Sequence, residues 1–309
     1  MITRRQVIQA TAAVLASSAA GVNANEPSAS ANKLTRILRS IPSSGELVPV
    51  MGMGTSRTFD TSDSASSLAK LGAVMQAFFQ GGGTVVDSSP MYGNAETRVG
   101  DILRAMQTPP AMFAATKVWT TGREQGIAEM EQSAQRMNVQ RFDLIAVHNL
   151  KDWQTQLDTL KQWKEQGKVR YIGITTSHGR DHDEFIKVMR SQPLDFVQFS
   201  YNIADRAAEE QLLPIAQERG IATMINRPYQ RGELFQKSRG YALPDIAAEL
   251  DCNSWGQFFL KFILGHPAVS CIIPATSRVH HMQDNMQANF GQVPDTQQRE
   301  EMLRVFGSL

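Results

Sequence analysis

Along most of the chain, short apolar and β-branched runs alternate with longer segments in which apolar residues recur at helical spacing. The apolar runs predict strands at 51–54, 84–87, 112–118, 143–148, 171–175, 196–201, 222–226 and 270–274. Helices are predicted at 67–80, 96–106, 126–137, 153–166, 183–191, 208–219, 278–289 and 296–306, with a mostly helical stretch at 243–264. Strict alternation of strand and helix indicates a parallel sheet.

The number of these units bears on which α/β architecture is formed. About eight βα units over roughly 260 residues fit a closed (β/α)8 TIM barrel. A doubly wound sheet is the alternative, but neither G-x-G-x-x-G nor G-x-x-x-x-G-K-[ST] follows any predicted strand. Ahead of the barrel, apolar runs at 34–38 and 46–50 flank the turn residues PSSG and predict a short N-terminal hairpin.

The first 24 residues resemble an export signal peptide. Arg4 and Arg5 stand in a polar start, a weakly apolar stretch follows at 7–20, and VNA at 22–24 resembles a cleavage site. The paired arginines predict export by the twin-arginine translocation machinery into a bacterial periplasm. The apolar stretch is shorter than the ~20 residues of a spanning helix, so no stable membrane anchor is expected. An amphipathic helix is the alternative; residues 25–33 are interpreted as a flexible leader, and 34–309 as the barrel domain.

The composition is that of a globular protein. The chain has 309 residues, 42% hydrophobic and 20% charged, which excludes the disordered and collagen-like classes. Its 31 basic and 30 acidic residues give a net charge of +1, so no basic surface for nucleic acid is expected. Two cysteines, Cys252 and Cys271, are too few for a disulfide framework or a Cys-rich zinc site.

Four polar side chains stand at or just after the ends of three neighbouring predicted strands. Asp87 ends TVVD, Tyr92 follows in the loop SSPMYGNAE, Lys117 ends FAATK, and His148 ends DLIAVH. Barrel enzymes carry their chemistry at the carboxyl ends of the strands, so these residues are expected to meet over the barrel mouth. Taken singly, each has an ordinary explanation: a helix cap, a half-buried aromatic, a surface cation and a core histidine.

Together the four residues predict acid–base chemistry. A lysine that closes an apolar strand needs a carboxylate partner if it is buried, and Asp87 is the available one. The cation beside Tyr92 is expected to lower the phenol pKa from about 10, so that the phenol donates a proton near neutral pH. His148 is expected to hydrogen-bond a substrate oxygen and orient it.

TVVDSSPMYGNAE, FAATKVW and DLIAVHNL resemble the three motifs of the aldo-keto reductases, whose tetrad is Asp, Tyr, Lys and His. The resemblance runs from about residue 47 to 290 and implies hydride transfer from a nicotinamide cofactor to a small-molecule aldehyde or ketone. By resemblance Tyr92 is the general acid, Asp87 and Lys117 tune it, and His148 positions the carbonyl. Trp119 either walls the substrate pocket beside Tyr92 and His148 or packs its loop.

The resemblance also implies that the cofactor crosses the barrel mouth. The matching positions are Thr55, Asp87, Thr175, Thr176, Gln198, Tyr201, Asn226, Arg227, Ser277, Arg278 and Asn285. Tyr201 is expected to stack on the nicotinamide ring, with a core aromatic as the alternative, and Gln198 to bond its carboxamide. The helix start after Ser277 suits a phosphate, because free N–H groups and the positive dipole end point there. Arg278 is expected to pair with the 2′-phosphate of NADP, and Asn285 to touch the adenine.

Some positions depart from the family pattern. Ala275 and His281 stand where many members carry Lys and Arg aimed at the 2′-phosphate, which leaves Arg278 as the permanent cation. NADPH remains the expected cofactor, but with a single permanent cation the preference over NADH is weaker and NADH is not excluded. Thr175 and Thr176 replace the common Ser-Asn pair, and threonine offers the carboxamide less reach.

Other functions need other features. His178 and His182 have H-x-x-x-H spacing, but Gly179 and the position just before a predicted helix favour a solvated loop over a metal site. A barrel glycosidase needs two carboxyl groups roughly 5–9.5 Å apart, and only Asp87 is an obvious candidate. A non-catalytic barrel that senses nucleotides or binds a partner is the main alternative to a periplasmic reductase. The complete tetrad favours the enzyme.

Overall fold

The computed structural model describes residues 35–106 and 109–309. The predicted signal peptide and leader, at 1–33, lie outside these residues. The hairpin is confirmed: β1 (Leu38–Ser40) pairs antiparallel with β2 (Leu47–Pro49). Its first strand lies later than predicted because the turn folds directly onto Ile41, whose N–H bonds Glu46 O and whose carbonyl accepts the N–H of Gly45.

The eight strands that follow are all parallel. They are β3 (Met53–Gly54), β4 (Val85–Asp87), β5 (Phe113–Val118), β6 (Phe142–His148), β7 (Val169–Thr175), β8 (Phe196–Ser200), β9 (Ala222–Asn226) and β10 (Cys271–Ile272), paired in sequence order. The segment that leads into β3 also bonds β10, since Met51 bridges Ile272 and Gly52 N–H donates to Ile272 O at 2.8 Å. The sheet therefore closes as a (β/α)8 barrel.

Helices cover the outside of this sheet. They are α1 (Ala65–Gln80), α2 (Ala95–Ala105), α3 (Arg123–Met137), α4 (Trp153–Glu165), α5 (His182–Ser191), α6 (Leu212–Arg219), α7 (Glu233–Lys237), α8 (Asp245–Glu249), α9 (Trp255–Leu264), α10 (Val279–Gln287) and α11 (Thr296–Ser308). The predicted stretch at 243–264 is interrupted because Asp251 adopts a left-handed φ of 56° and Ser254 starts α9 by accepting the N–H of Gln257. The short α7 was not predicted. No helix of the described ranges is long and apolar enough to cross a membrane.

Inward-facing side chains fill the amino-terminal end of the barrel with an apolar layer. Phe113, Tyr171 and Phe196 pack with ring centroids 5.6–5.9 Å apart. Ile41 and Val48 of the hairpin belong to the same buried cluster. The hairpin therefore covers the amino ends of the strands and closes this end of the barrel.

At the other end the same inward-facing positions become polar. The β6–β7 register pairs His148 with Thr175, and the β7–β8 register pairs Thr175 with Gln198. Asp87 ends β4, and Lys117 lies one residue before the end of β5. Because successive strands deliver these residues to the same end, Asp87, Lys117, His148, Thr175 and Gln198 meet at the carboxyl mouth.

Candidate active site

The floor of the mouth is an ion pair between Lys117 and Asp87. Lys117 Nζ lies 2.8 and 2.7 Å from the two carboxylate oxygens of Asp87, and it donates to Ser88 O at 2.7 Å. Lys117 is fully buried. Burial alone would lower the pKa of Lys117, but the charges of Asp87 and then Tyr92 oppose this, and the net shift is upward. The expectation that these two residues meet is confirmed.

Tyr92 lies directly above this pair. Lys117 Nζ is 5.2 Å from the centroid of the tyrosine ring, and the ring stands edge-on to His148 with centroids 5.7 Å apart. The expected fall of the phenol pKa is wrong: the pKa of Tyr92 is raised, because loss of hydration around the phenol outweighs the attraction of Lys117. The phenol is therefore protonated throughout the neutral range.

A neighbouring loop fixes the segment that carries Tyr92. Asp60 Oδ1 accepts the backbone N–H of Asn94 at 2.9 Å and its side-chain amide at 3.2 Å. Gly93, between Tyr92 and Asn94 in the sequence, has a φ of +59°. A Cβ at this position would lie 2.4 Å from Asp60 Oδ1. Only glycine fits at that point, because a side chain would meet both backbone strain and the carboxylate.

His148 faces Tyr92 from the end of β6. Its Nδ1 lies 2.9 Å from the hydroxyl oxygen of Ser89, a residue that the sequence analysis missed. Burial, followed by the charges of Lys117 and Arg180, lowers the pKa of His148 to about 3. The imidazole is consequently neutral at physiological pH and acts through hydrogen bonds rather than through a positive charge.

Trp119 forms one side of the mouth. Its ring centroid lies 6.4 Å from that of His148, and 36% of the residue is exposed. Lys151 Nζ sits 4.6 Å from the indole centroid, and the backbone N–H of Trp119 donates to Glu129 at 2.5 Å. Met91 is also exposed beside Tyr92 in sequence. Exposed apolar side chains above polar groups are typical of a small-molecule pocket.

Two of the predicted nicotinamide-side residues contact Asp87 directly. Gln198 Nε2 donates to Asp87 Oδ1 at 3.1 Å, and Thr55 Oγ1 donates to the Asp87 carbonyl at 3.0 Å. Thr55 also bonds the hydroxyl of Ser88 at 2.9 Å and is fully buried. In this structure Gln198 therefore holds the carboxylate of Asp87, and Thr55 holds its backbone.

The remaining predicted residues on this side form a connected polar arc. Thr175 Oγ1 accepts the N–H of Asn149 at 3.2 Å, and Thr176 Oγ1 donates to Arg180 O at 2.7 Å. Asn226 Nδ2 donates to Thr176 O at 3.0 Å, while its Oδ1 accepts the hydroxyl of Ser200 at 2.7 Å. The ends of β7, β8 and β9 are thus linked side by side.

Tyr201 does not join this arc, and the predicted stacking role is wrong. Its side chain is fully buried, and its hydroxyl donates to Glu209 at 2.5 Å and accepts from Arg299 at 2.6 Å. Tyr201 lies an odd number of residues from the inward-facing Gln198, so the strand pleat turns it towards the helices. It is the core aromatic of the alternative interpretation.

The far end of the mouth carries the predicted phosphate and adenine residues. Helix α10 begins after Arg278, which is exposed, and Ser277 precedes it in the partly exposed loop. Asn285 is buried, and its Oδ1 accepts the hydroxyl of Tyr229 at 2.7 Å. Tyr229 was not predicted, because it lies in a loop whose path the sequence does not indicate.

Four arginines surround His178 on the loops at the mouth. Arg227 Nη1 contacts His178 Nε2. Burial, and then the charges of Arg227, Arg231, Arg180 and Arg57, lower the pKa of His178. Within the described residues none of the four has a carboxylate oxygen within 4.0 Å of its guanidinium nitrogens. Such a group of cations attracts anions.

The H-x-x-x-H spacing does not form a helical metal site. His178 has a left-handed φ of 62° and stands outside α5, which begins at His182. No group of three or more His, Cys, Asp and Glu side chains arranged to hold a metal ion occurs in 35–106 and 109–309.

The family model "Aldo/keto reductase family" matches residues 50–300. The chain belongs to this family. Its members are oxidoreductases that act on carbonyl or alcohol groups, and the Asp87, Tyr92, Lys117 and His148 cluster lies where the motif resemblance implied.

Individual relatives are distant. The chain is 25% identical over 243 residues to methylglyoxal reductase YeaE of Escherichia coli, covering 77% of this chain and 84% of that one. It is 25% identical over 182 residues to the NADH-specific methylglyoxal reductase of E. coli, 48% of this chain and about half (53%) of that relative. A crystal structure of an aldo/keto reductase from Klebsiella pneumoniae in complex with NADP and acetate matches with a TM-score of 0.68 and 21% identity, over 85% of this chain and 93% of that one.

Proposed function

We propose that this protein reduces an aldehyde or ketone to an alcohol, with a nicotinamide dinucleotide as reductant and Tyr92 as general acid. One observation carries the proposal: the phenol of Tyr92 lies beside the buried Lys117–Asp87 pair and faces a neutral His148 at the barrel mouth. The bound cofactor supplies the hydride.

The side chains of the site donate a proton to the carbonyl oxygen and stabilise the charge that this leaves. The raised pKa keeps Tyr92 protonated at neutral pH, so its hydroxyl is a donor to a carbonyl oxygen. Lys117, held in place by Asp87, stabilises the negative charge that develops on the phenol oxygen as the proton leaves. His148 contributes a hydrogen bond that orients the carbonyl, and Trp119 walls the substrate.

Several features of the mouth fit a nicotinamide dinucleotide. Asn149 Oδ1 is buried without a hydrogen-bond partner in the described chain, beside Thr175, and is an open acceptor for the N–H of a carboxamide. We propose that Thr175, Thr176 and Gln198 hydrogen-bond the carboxamide of the nicotinamide. The arginines around His178, Arg227 among them, supply cations for the phosphates.

We propose NADPH as the main cofactor and NADH as a second one. Arg278 is exposed at the start of α10 and is the permanent cation for a 2′-phosphate, with Ser277 beside it. The pKa of His281 is lowered by burial and then by His280 and Arg278, so His281 adds no charge at neutral pH. The NADP-bound Klebsiella structure and the NADH-specific E. coli relative support this pairing.

The test is cofactor consumption by the chain from Asn25 with 4-nitrobenzaldehyde, with NADPH and NADH compared. Tyr92→Phe is the matched variant, because it keeps the ring and removes only the acid. We expect NADPH oxidation to vanish in the variant while its NADPH affinity, read by fluorescence titration, is nearly unchanged. Binding without reduction of any carbonyl in a wide panel would favour the nucleotide-sensing alternative. Loss of binding in Tyr92→Phe would contradict the acid role.

We further propose export to the periplasm by the twin-arginine machinery, based on Arg4, Arg5 and the stretch at 7–20. A fusion of residues 1–24 to a reporter that is active only after export tests this. Lysine at both arginine positions is expected to retain the reporter in the cytoplasm, and unchanged export would remove the arginines from the signal.

A further inference from the structure

We infer that Ser89 is a positioning residue that fixes the ring tautomer of His148, so that the Nε2–H of the imidazole is the group offered to the carbonyl oxygen. The inference rests on the proposed reduction, in which His148 orients the substrate. It assigns a role to a residue outside the tetrad.

The hydrogen-bond partners of the Ser89 hydroxyl indicate which group accepts its hydrogen. Ser89 is fully buried, and its Oγ lies 2.9 Å from His148 Nδ1. The same oxygen accepts the backbone N–H of Met91 at 3.2 Å, which occupies one lone pair. A hydroxyl carries a single hydrogen, and among the described residues Nδ1 is the acceptor available to it. Ser89 therefore donates to Nδ1.

A neutral imidazole carries one N–H, so an acceptor at Nδ1 places the hydrogen on Nε2. No described side chain bonds Nε2 of His148, whose ring faces Tyr92 and Trp119. Burial of the ring, and then the charge of Lys117, disfavour a second proton on it. The free Nε2–H and the Tyr92 hydroxyl are then two donors for one carbonyl oxygen.

The opposite tautomer leaves two groups unsatisfied. With Nδ1–H donating to Ser89 Oγ, the buried hydroxyl hydrogen has no acceptor among the described residues. Nε2 then presents a lone pair, which repels a carbonyl oxygen instead of binding it. Both effects favour the arrangement in which Ser89 is the donor.

Ser89 also belongs to the turn that carries the acid. Its carbonyl accepts the backbone N–H of Tyr92 at 3.0 Å, and its hydroxyl accepts that of Met91. Ser89 thus supports the conformation of the loop that carries Tyr92 and also contacts the ring of His148. This turn gives Ser89 a structural contribution, which the experiment must separate from the tautomer.

The experiment is nitrogen NMR of ¹⁵N-histidine-labelled protein, which distinguishes the protonated from the bare ring nitrogen. His148→Gln identifies the His148 signals. We expect Nε2–H in the wild type, a shift of population towards Nδ1–H in Ser89→Ala, and the wild-type tautomer in Ser89→Thr, which keeps a hydroxyl. In parallel, kcat/KM for 4-nitrobenzaldehyde falls at least about 10-fold in Ser89→Ala with unchanged NADPH affinity, and Ser89→Thr restores it.

Nδ1–H in the wild-type protein would overturn the inference, as would Ser89→Ala with the wild-type tautomer. A loss of activity in Ser89→Ala without a tautomer change would reduce Ser89 to support of the turn. The NMR result does not depend on turnover. A wild-type protein with Nε2–H that reduces no carbonyl would therefore contradict the proposed function and leave the tautomer assignment standing.

Discussion

Lys117 and Asp87 are buried together, with the ammonium nitrogen within 2.8 Å of both carboxylate oxygens. We expect Lys117→Met to lower the free energy of unfolding by about 3–5 kcal/mol, because Asp87 would remain as an uncompensated buried charge. Urea unfolding followed by circular dichroism measures this.

The matched control is the double variant Asp87→Asn/Lys117→Met, which removes both charges. It should recover much of the lost stability but none of the reductase activity, since the group that stabilises the phenolate is still missing. Equal destabilisation in the single and double variants would mean that packing of the lysine stem, rather than the charge, dominates.

His148 makes stability depend on pH in a defined direction. Its pKa is about 3 in the folded protein against an ordinary value of about 6.5, so the unfolded chain binds the extra proton first. The contribution of the neutral buried ring is complete above pH 6.5 and is lost as pH falls, by about 2 kcal/mol at pH 5.

Unfolding of the wild type and His148→Gln at pH 7.5 and 5 isolates this contribution, because the other histidines titrate in both proteins. The wild type should lose about 2 kcal/mol more than the variant between the two values. Parallel losses would show that His148 is not the group responsible.

Arg278 is expected to discriminate between the two cofactors. Arg278→Ala should weaken NADPH binding at least about 10-fold and NADH binding little, because only NADPH carries a 2′-phosphate for the guanidinium. Fluorescence titration with each cofactor gives the two dissociation constants. Arg141→Ala, at an exposed cation before β6 on the closed end, is the control. Equal losses for both cofactors would remove Arg278 from the 2′-phosphate position.

Tyr201 is expected to matter for stability and not for the cofactor. Tyr201→Phe removes the hydroxyl between Glu209 and Arg299 and should cost about 1–3 kcal/mol. NADPH affinity should stay the same. Tyr241→Phe, at an exposed tyrosine, should change the free energy of unfolding by less than about 0.5 kcal/mol. An unchanged free energy of unfolding in Tyr201→Phe would contradict this structural role.

The candidate residues whose positions were predicted correctly stand at the ends of strands. Asp87, Lys117 and His148 occupy their places because sheet register fixes them, and register follows from apolar runs that are visible in the sequence. Tyr201 was misjudged because it stands one residue beyond β8, on the opposite side of the pleat from Gln198.

Features that depend on loop path or burial depth could not be predicted. The contact between Ser89 and His148 joins residues 59 apart in sequence through a turn whose geometry no motif specifies. For Tyr92, the motif predicted the direction in which Lys117 shifts the phenol pKa but not the larger, opposite effect of burial. Depth below the surface is a property of the packed barrel.

The β1–β2 hairpin leaves the barrel open at one end only. Ile41 and Val48 cover the amino ends of the strands, so a ligand can reach the polar strand ends only from the carboxyl mouth. Under the function we propose, the cofactor and the carbonyl compound would share this one opening, and the product alcohol would leave by the side from which the cofactor is exchanged.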